Sequence, residues 1–177
     1  HAARIWEASS GRLLHTLPAP LETYHSESIQ FSPDGRLVAV ASGNLVQVWD
    51  ARSGQPTTAP MKHDGRVHSV RFSPDSARLL TASQDQSACV WDSETGHLLG
   101  EPMRHEARVN YAEFSRDGRW ILTSSDDGSA RIWELPSLGS RIPPWLPDWA
   151  EMVSGQHLDE RMASQPVPVD AGEQLRQ

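Results

Sequence analysis

The chain has 177 residues, 37% of them hydrophobic, which is enough for one domain with a packed core. Its 16 Lys+Arg against 23 Asp+Glu leave a formal charge of −7. With no basic block and no interleaving of basic and aromatic residues, this argues against a nucleic-acid-binding face and against docking on anionic lipid. No apolar run approaches the ~20 residues of a spanning helix. The start, HAARIW, lacks the charged-then-apolar order of a secretory signal. Cys89, the single cysteine, permits no internal disulfide and suits a reducing, cytoplasmic location. The chain opens on His1 in the middle of a repeated unit, which reads as a piece of a longer protein.

In chain order, residues 2–6 predict a strand, 7–11 a turn and 12–17 an outer strand, with Pro18 and Pro20 punctuating a connector. Residues 1–20 thus form the second half of a unit. The next unit spans 21–60, with strands over 28–32, 37–41 and 45–49 and a turn at Ser32-Pro33-Asp34-Gly35. The unit 61–102 has the same order, with strands over 67–72, 78–83, 87–91 and 97–100. The unit 103–138 repeats it, with strands over 109–114, 120–125 and 129–133. Trp6, Trp49, Trp91 and Trp133 stand about 42 residues apart, and a self-similar period of ~40–45 residues is the signature of propeller blades with four strands each. The tail, 139–177, differs in kind. Pro143, Pro144 and Pro147 make a stiff lead-in. Asp148 caps a short helix to about Ser154, and Trp145, Trp149, Met152 and Val153 share one of its faces. That aromatic face reads as a fold-back over the last unit, with the polar end beyond it loosely held.

Two units carry the same spaced residues: His63, Val67, Phe72-Ser73-Pro74-Asp75, Asp85 and Trp91-Asp92, then His105, Val109, Phe114-Ser115-Arg116-Asp117, Asp127 and Trp133-Glu134. On these marks the chain, over residues 2 to about 138, resembles the WD-repeat β-propeller family, and its tail is similar to the segment after the last blade in large bacterial repeat proteins. The resemblance implies an all-β fold of four-stranded antiparallel blades: three full blades, a leading half-blade and a tail with one helix. It also implies a hydrogen-bonded chain inside each blade, from aspartate to histidine to a hydroxyl to the tryptophan indole. By position these are Asp85, His63, Thr81 or Ser83, and Trp91, then Asp127, His105, Thr123 or Ser125, and Trp133. The blade 21–60 departs from this, with Glu22 at the histidine position and Asn44 replacing the aspartate beside a one-residue deletion, so it is expected to be the weakest. Three and a half blades fall short of the roughly four to eight that close a ring. The sequence favours a truncated larger ring, with self-association through open blade edges as the alternative.

No catalytic or metal-binding motif stands out. The eight histidines show no HxH or HExxH spacing, Asp126-Asp127-Gly128 lacks the further ligands of a calcium loop, and Cys89 sits on a blade strand. No cofactor is expected. The resemblance places Arg66, His68, Gln84, Arg108, Asn110 and Asp126 on the loop rim where such propellers bind partners. There Arg66 and Arg108 either clamp an acidic peptide or pair locally with Asp64 and Glu106. The function read from the sequence is a non-catalytic scaffold for other proteins or peptides. The alternative is the regulatory end of a signalling enzyme such as a bacterial serine/threonine protein kinase.

Overall fold

The computed structural model describes residues 2–18 and 26–135. All regular structure there is β, in antiparallel sheets. A two-stranded sheet pairs β1 (Ala2–Trp6) with β2 (Leu13–Pro18). The first blade is β3 (Ser26–Phe31), β4 (Leu37–Ser42), β5 (Leu45–Asp50) and β6 (Met61–Lys62), in that order. The second is β7 (Val67–Phe72), β8 (Arg78–Ser83), β9 (Ser87–Asp92) and β10 (Met103–Arg104). The third, among the described residues, has three strands: β11 (Val109–Phe114), β12 (Trp120–Ser125) and β13 (Ala130–Glu134). Among the described residues the ring is not closed. The helix expected from Asp148 lies outside the described residues, as does Glu22.

Second strands are buried on both faces because a blade is sandwiched between its neighbours, and the period of two splits each strand between two cores. Along β4, Val38 and Val40 pack with Trp49 against Ala3, Ile5 and Leu17 of the leading sheet. Leu37, Ala39 and Ala41 turn the other way, into a cluster with Val70, Phe72, Leu79 and Trp91 of the second blade. Leu80 and Ala82 in turn meet Val109, Phe114 and Trp133 of the third. Each tryptophan therefore faces the blade before it. Trp49, Trp91 and Trp133 are buried, while Trp6 is 54% exposed.

The turn after each inner strand is built by its own side chains. Ser32 Oγ binds Asp34 at 2.6 Å and receives the Leu37 N–H at 2.9 Å, and Ser115 and Asp117 repeat the arrangement in the third blade. The fourth residue takes a positive φ, 73° at Gly35 and 70° at Gly118, a conformation that costs glycine nothing.

Two elements differ from the sequence reading. The outer strand of the second blade is not a run over 97–100. Leu98 bridges Trp91, the chain then breaks at Gly100 (φ 79°) and Pro102, and pairing resumes at Met103 and Arg104 against Ala88 and Ser87. The first blade does the same, with a bridge from Pro56 to Trp49 and a ladder at Met61 and Lys62. Fourth strands thus reach past the boundaries drawn at 60 and 102, because proline and a left-handed glycine interrupt the edge ladder without ending it. Asn44, for its part, does not stand in the aspartate's place. Its carbonyl accepts the His63 N–H at 2.9 Å, as Gln86 O accepts that of His105. The deleted residue is the aspartate itself, and the loop closes as a two-residue Gly43-Asn44 turn with φ of 59° at Gly43.

Candidate functional site

Strand pairing sets the polar interior. Cross-strand register puts Leu79 opposite Trp91 and Thr81 opposite Cys89, so Thr81 lies one pleat in from the indole. Trp91 Nε1–H donates to Thr81 Oγ1 at 2.9 Å, His63 Nε2 lies 2.7 Å from the same hydroxyl, and His63 Nδ1 lies 2.8 Å from Asp85 Oδ2. The third blade gives 2.9, 2.7 and 2.9 Å for Trp133–Thr123, His105–Thr123 and His105–Asp127. The donor inventory fixes the direction of this relay. The indole can only donate, so the threonine oxygen accepts there and its proton goes to Nε2, while the carboxylate can only accept, so Nδ1 carries the ring proton.

Of the two hydroxyl candidates in each blade, the threonine joins the relay. Ser83 and Ser125 instead receive the backbone N–H of Asp85 and Asp127, at 3.2 and 3.1 Å. The sequence reading overlooked Ser87 and Ser129. Their hydroxyls bind the outer carboxylate oxygens of Asp85 and Asp127 at 2.5 Å. The signal was a serine two residues after each aspartate, absent from the first blade, where Leu45 stands.

Burial opposes ionisation of Asp85, but its bonds to His63 and Ser87 outweigh that and hold its carboxyl well below the usual range. Asp127 behaves alike: burial raises it, and Ser129, the Glu106 amide and His105 pull it down further. Burial lowers His105 and Arg131 adds to it, so that the net shift is downward despite the Asp127 carboxylate, which raises it. The second and third blades thus spend their interior titratable groups on each other. Cys89 is also withdrawn from chemistry, since burial pushes its thiol up to about 11. Among the described residues, no group of three or more His, Cys, Asp or Glu could hold a metal ion. No helix there is long and apolar enough to cross a membrane.

Among the described residues, the first blade lacks the relay: Trp49 is buried, yet its Nε1–H has no partner there. Val40 pairs with Gln47 as Thr81 pairs with Cys89, so a methyl occupies the place of the hydroxyl. The Val40 substitution completes a loss that the sequence reading ascribed to Glu22 and Asn44 alone.

The rim residues come from two neighbouring loop pairs. Gln84 N–H donates to Arg66 O at 2.7 Å and Asp126 N–H to Arg108 O at 3.0 Å, which ties each interblade loop to the adjacent turn. Gly65 allows this closeness: a Cβ there would stand 2.6 Å from the Asp85 nitrogen. Arg66, Gln84, Arg108, Asn110 and Asp126 are exposed and His68 is half-buried. Arg108 Nε and Asn110 Nδ2 both bind Asp126. Asp126 is held low by Asn110 first and then by Arg108, with a further contribution from His68 of the preceding blade. The Arg108 partner is thus Asp126 rather than Glu106.

The WD40 family model (WD domain, G-beta repeat) matches residues 11–50, 54–92 and 96–134. WD repeat-containing protein 1 of Gallus gallus is 38% identical over 64 residues, covering 34% of this chain and 10% of that protein. Apoptotic protease-activating factor 1 of Homo sapiens is 36% identical over 95 residues, covering 48% of this chain and 8% of that protein. The chain thus spans a tenth or less of the length of these two relatives. The crystal structure of the computationally designed Ika4 protein superposes with a TM-score of 0.66 at 21% identity, covering 76% of this chain and 79% of that one, which is a likeness of fold alone.

Proposed function

The chain belongs to the WD40 family, and on that premise we propose that it is a non-catalytic scaffold whose loop rim binds other proteins or peptides. The observation that carries this reading is the division of its polar groups. Interior histidines and aspartates of the second and third blades are consumed by the relays, whereas the side chains at Arg66, Gln84, Arg108, Asn110 and Asp126 are exposed on a rigid frame. Loops held by a stiff scaffold are where recognition residues belong. The Arg108–Asp126 pair makes the third-blade rim self-neutralised, so a partner carboxylate there must displace an internal one. Asn110 is held by the same carboxylate, so the exposed Gln84 carboxamide is the rim group that a hydrogen-bonding peptide meets without displacing Asp126.

The test is capture of binding proteins by the intact chain, compared between Arg66→Glu/Arg108→Glu on the rim and Arg116→Glu, an exposed residue in the turn after the inner strand β11. The rim variant should lose its captured proteins while the Arg116 variant keeps them. Equal capture by both variants would sink the rim reading.

A further inference from the structure

The first and second blades are joined along their inner strands by side-chain caps on backbone amides. Ser73 N–H donates to Arg78 O at 2.9 Å, so the next pair in the ladder, Phe72 and Leu79, is not bonded across it and the Phe72 N–H points away from its own sheet. Gln30 Oε1 of the first blade accepts it at 2.7 Å, and Ser28 Oγ accepts the Val70 N–H at 3.1 Å. The third blade has the same ladder, with Ser115 N–H on Trp120 O at 2.8 Å and Phe114 opposite Ile121. Its caps differ, because Arg71 stands where Gln30 does and Ser69 where Ser28 does. A guanidinium donates and cannot accept, so Arg71 does not give the Phe114 N–H the oxygen that Phe72 receives. Ser69 is 4% exposed, and its hydroxyl has no partner among the described residues. The interface between the second and third blades thus lacks both bonds that join the first and second.

Arg71 is positioned but not neutralised. Its Nη1 donates to Val70 O at 2.8 Å, and its guanidinium lies 5.0 Å from the centroid of the Tyr111 ring. Among the described residues it is in no ion pair, whereas Arg78 and Arg108 are. Gln30, Arg71 and Phe114 line one cavity, together with the exposed Pro33 and Pro74. Glu113 lines it too, but its carboxylate is taken by the Tyr111 hydroxyl at 2.8 Å, and Arg116 and Asp117 in the same wall carry opposite charges. This cavity lies at the end of the inner strands away from the rim, about 20 Å along a six-residue strand.

We propose that the cavity binds an acidic peptide segment, one carboxylate of which takes the place that Gln30 Oε1 holds in the preceding interface and accepts from the Phe114 N–H and the Arg71 guanidinium together. A neutral acceptor would satisfy the amide and leave Arg71 without a counter-charge, whereas a carboxylate meets both. The Gln30 carboxamide keeps its N–H donors for a backbone carbonyl of the same peptide, and Pro33 and Pro74 give apolar surface to an extended chain. A lone carboxylate would leave those groups unused. The site is separate from the rim and does not depend on the rim reading.

The probe is the synthetic peptide acetyl-AEEEA-amide, titrated into the isotope-labelled full chain, with acetyl-AQQQA-amide as the neutral control. A saturable downfield shift and slowed exchange of the Phe114 amide proton are expected with the acidic peptide and not with the neutral one. Arg71→Gln supplies the cap that the first blade uses. It should slow exchange at Phe114 without any peptide and weaken peptide binding about tenfold or more, the loss of a charge-assisted bond. Arg52→Gln, at an exposed position in the turn after β5, should change neither. If Arg71→Gln does not fold, the titration of the parent chain decides alone. A Phe114 amide already protected in the free chain, shifts confined to the rim amides of Arg108 and Asn110, or equal affinity for the two peptides overturns the proposal. So does succinate binding as tightly as the acidic peptide, which would make the cavity a site for any small carboxylate.

Discussion

Trp49 and Trp91 are buried alike, 5% and 8% exposed, near the ends of third strands of equal length, yet one indole N–H bonds a threonine and the other has no partner among the described residues. The difference shows that the polar relay is separable from the blade. Apolar packing on two faces suffices to place the first-blade tryptophan, because Val38, Val40, Ala3 and Leu17 surround it. What the relay adds is a satisfied donor, worth about 1–3 kcal/mol when the alternative is an orphaned buried group, and a link from the core out to the rim turn. Where that link is missing, the turn shortens to two residues.

The largest effect follows from deleting the aromatic ring in each blade. Trp91→Ala should lower unfolding stability by about 3–5 kcal/mol, because it leaves a cavity and takes from the Thr81 oxygen the bond it accepts from the indole. Trp49→Ala should cost less, since the same cavity is accompanied by removal of an unsatisfied N–H. Urea denaturation of the two variants measures the gap, and a larger loss at Trp49 would break the comparison.

Exchanging one side chain between blades sharpens it. Thr81→Val should cost about 2–3 kcal/mol, because both Trp91 Nε1–H and His63 Nε2 lose their partner. The reciprocal Val40→Thr places a hydroxyl in a core and would ordinarily destabilise. Here it should be neutral or stabilising by about 1 kcal/mol, since it meets the Trp49 donor. A clear loss on Val40→Thr would mean that the indole N–H of the first blade is satisfied some other way.

Acid should separate the blades by a different route. The folded pKa values of Asp85 and Asp127 are depressed, so their contribution is full above the ordinary carboxylate value of about 3.9 and is lost as pH falls below it. His105 is also lowered, so the unfolded chain takes up its proton first, and stability begins to fall as pH drops below about 6.5. The urea midpoint should decline from pH 7 toward 5 and fall again below 4. Asp127→Asn should flatten part of the second decline, and a midpoint constant from pH 7 to 3 would contradict the relay electrostatics.

Strands were legible wherever alternation met a turn built from its own residues. Residues 67–72, 78–83, 109–114 and 120–125 are strands with the bounds the sequence suggests, because Ser-x-Asp turns and buried pleats specify both ends. The outer strand of the leading sheet was legible, read over 12–17 and found at Leu13–Pro18, but that of the second blade was not: an edge strand that needs only one partner tolerates Gly100 and Pro102 in its middle, so composition mimics a loop. The choice between Thr81 and Ser83 was also beyond the sequence, since both carry hydroxyls on the same side of one strand. Only the register against β9 puts Thr81 beside the indole. On the rim, Arg108 had acidic neighbours in two directions, and the pleat that aims Asn110 at the same carboxylate favours Asp126 over Glu106.

The smallest expected effect concerns the turn that the first blade shortens. Gln86 holds φ at 70° in the second blade, where Gly128 holds 80° in the third. A non-glycine residue in this region carries a penalty of about 1–2 kcal/mol, partly offset by the lower unfolded-chain entropy of a residue with a side chain. Gln86 is exposed, and its role in the turn is the backbone carbonyl that accepts the His105 N–H at 2.9 Å. Gln86→Gly should therefore stabilise by about 0.5 kcal/mol without moving the relay, and Gly128→Gln should destabilise by a comparable amount. Both signs are readable as opposite shifts of the urea midpoint at unchanged slope. If both substitutions destabilise, the Gln86 side chain contributes something that its exposure and backbone contacts do not record, and the second and third blades are less alike at their turns than in their cores.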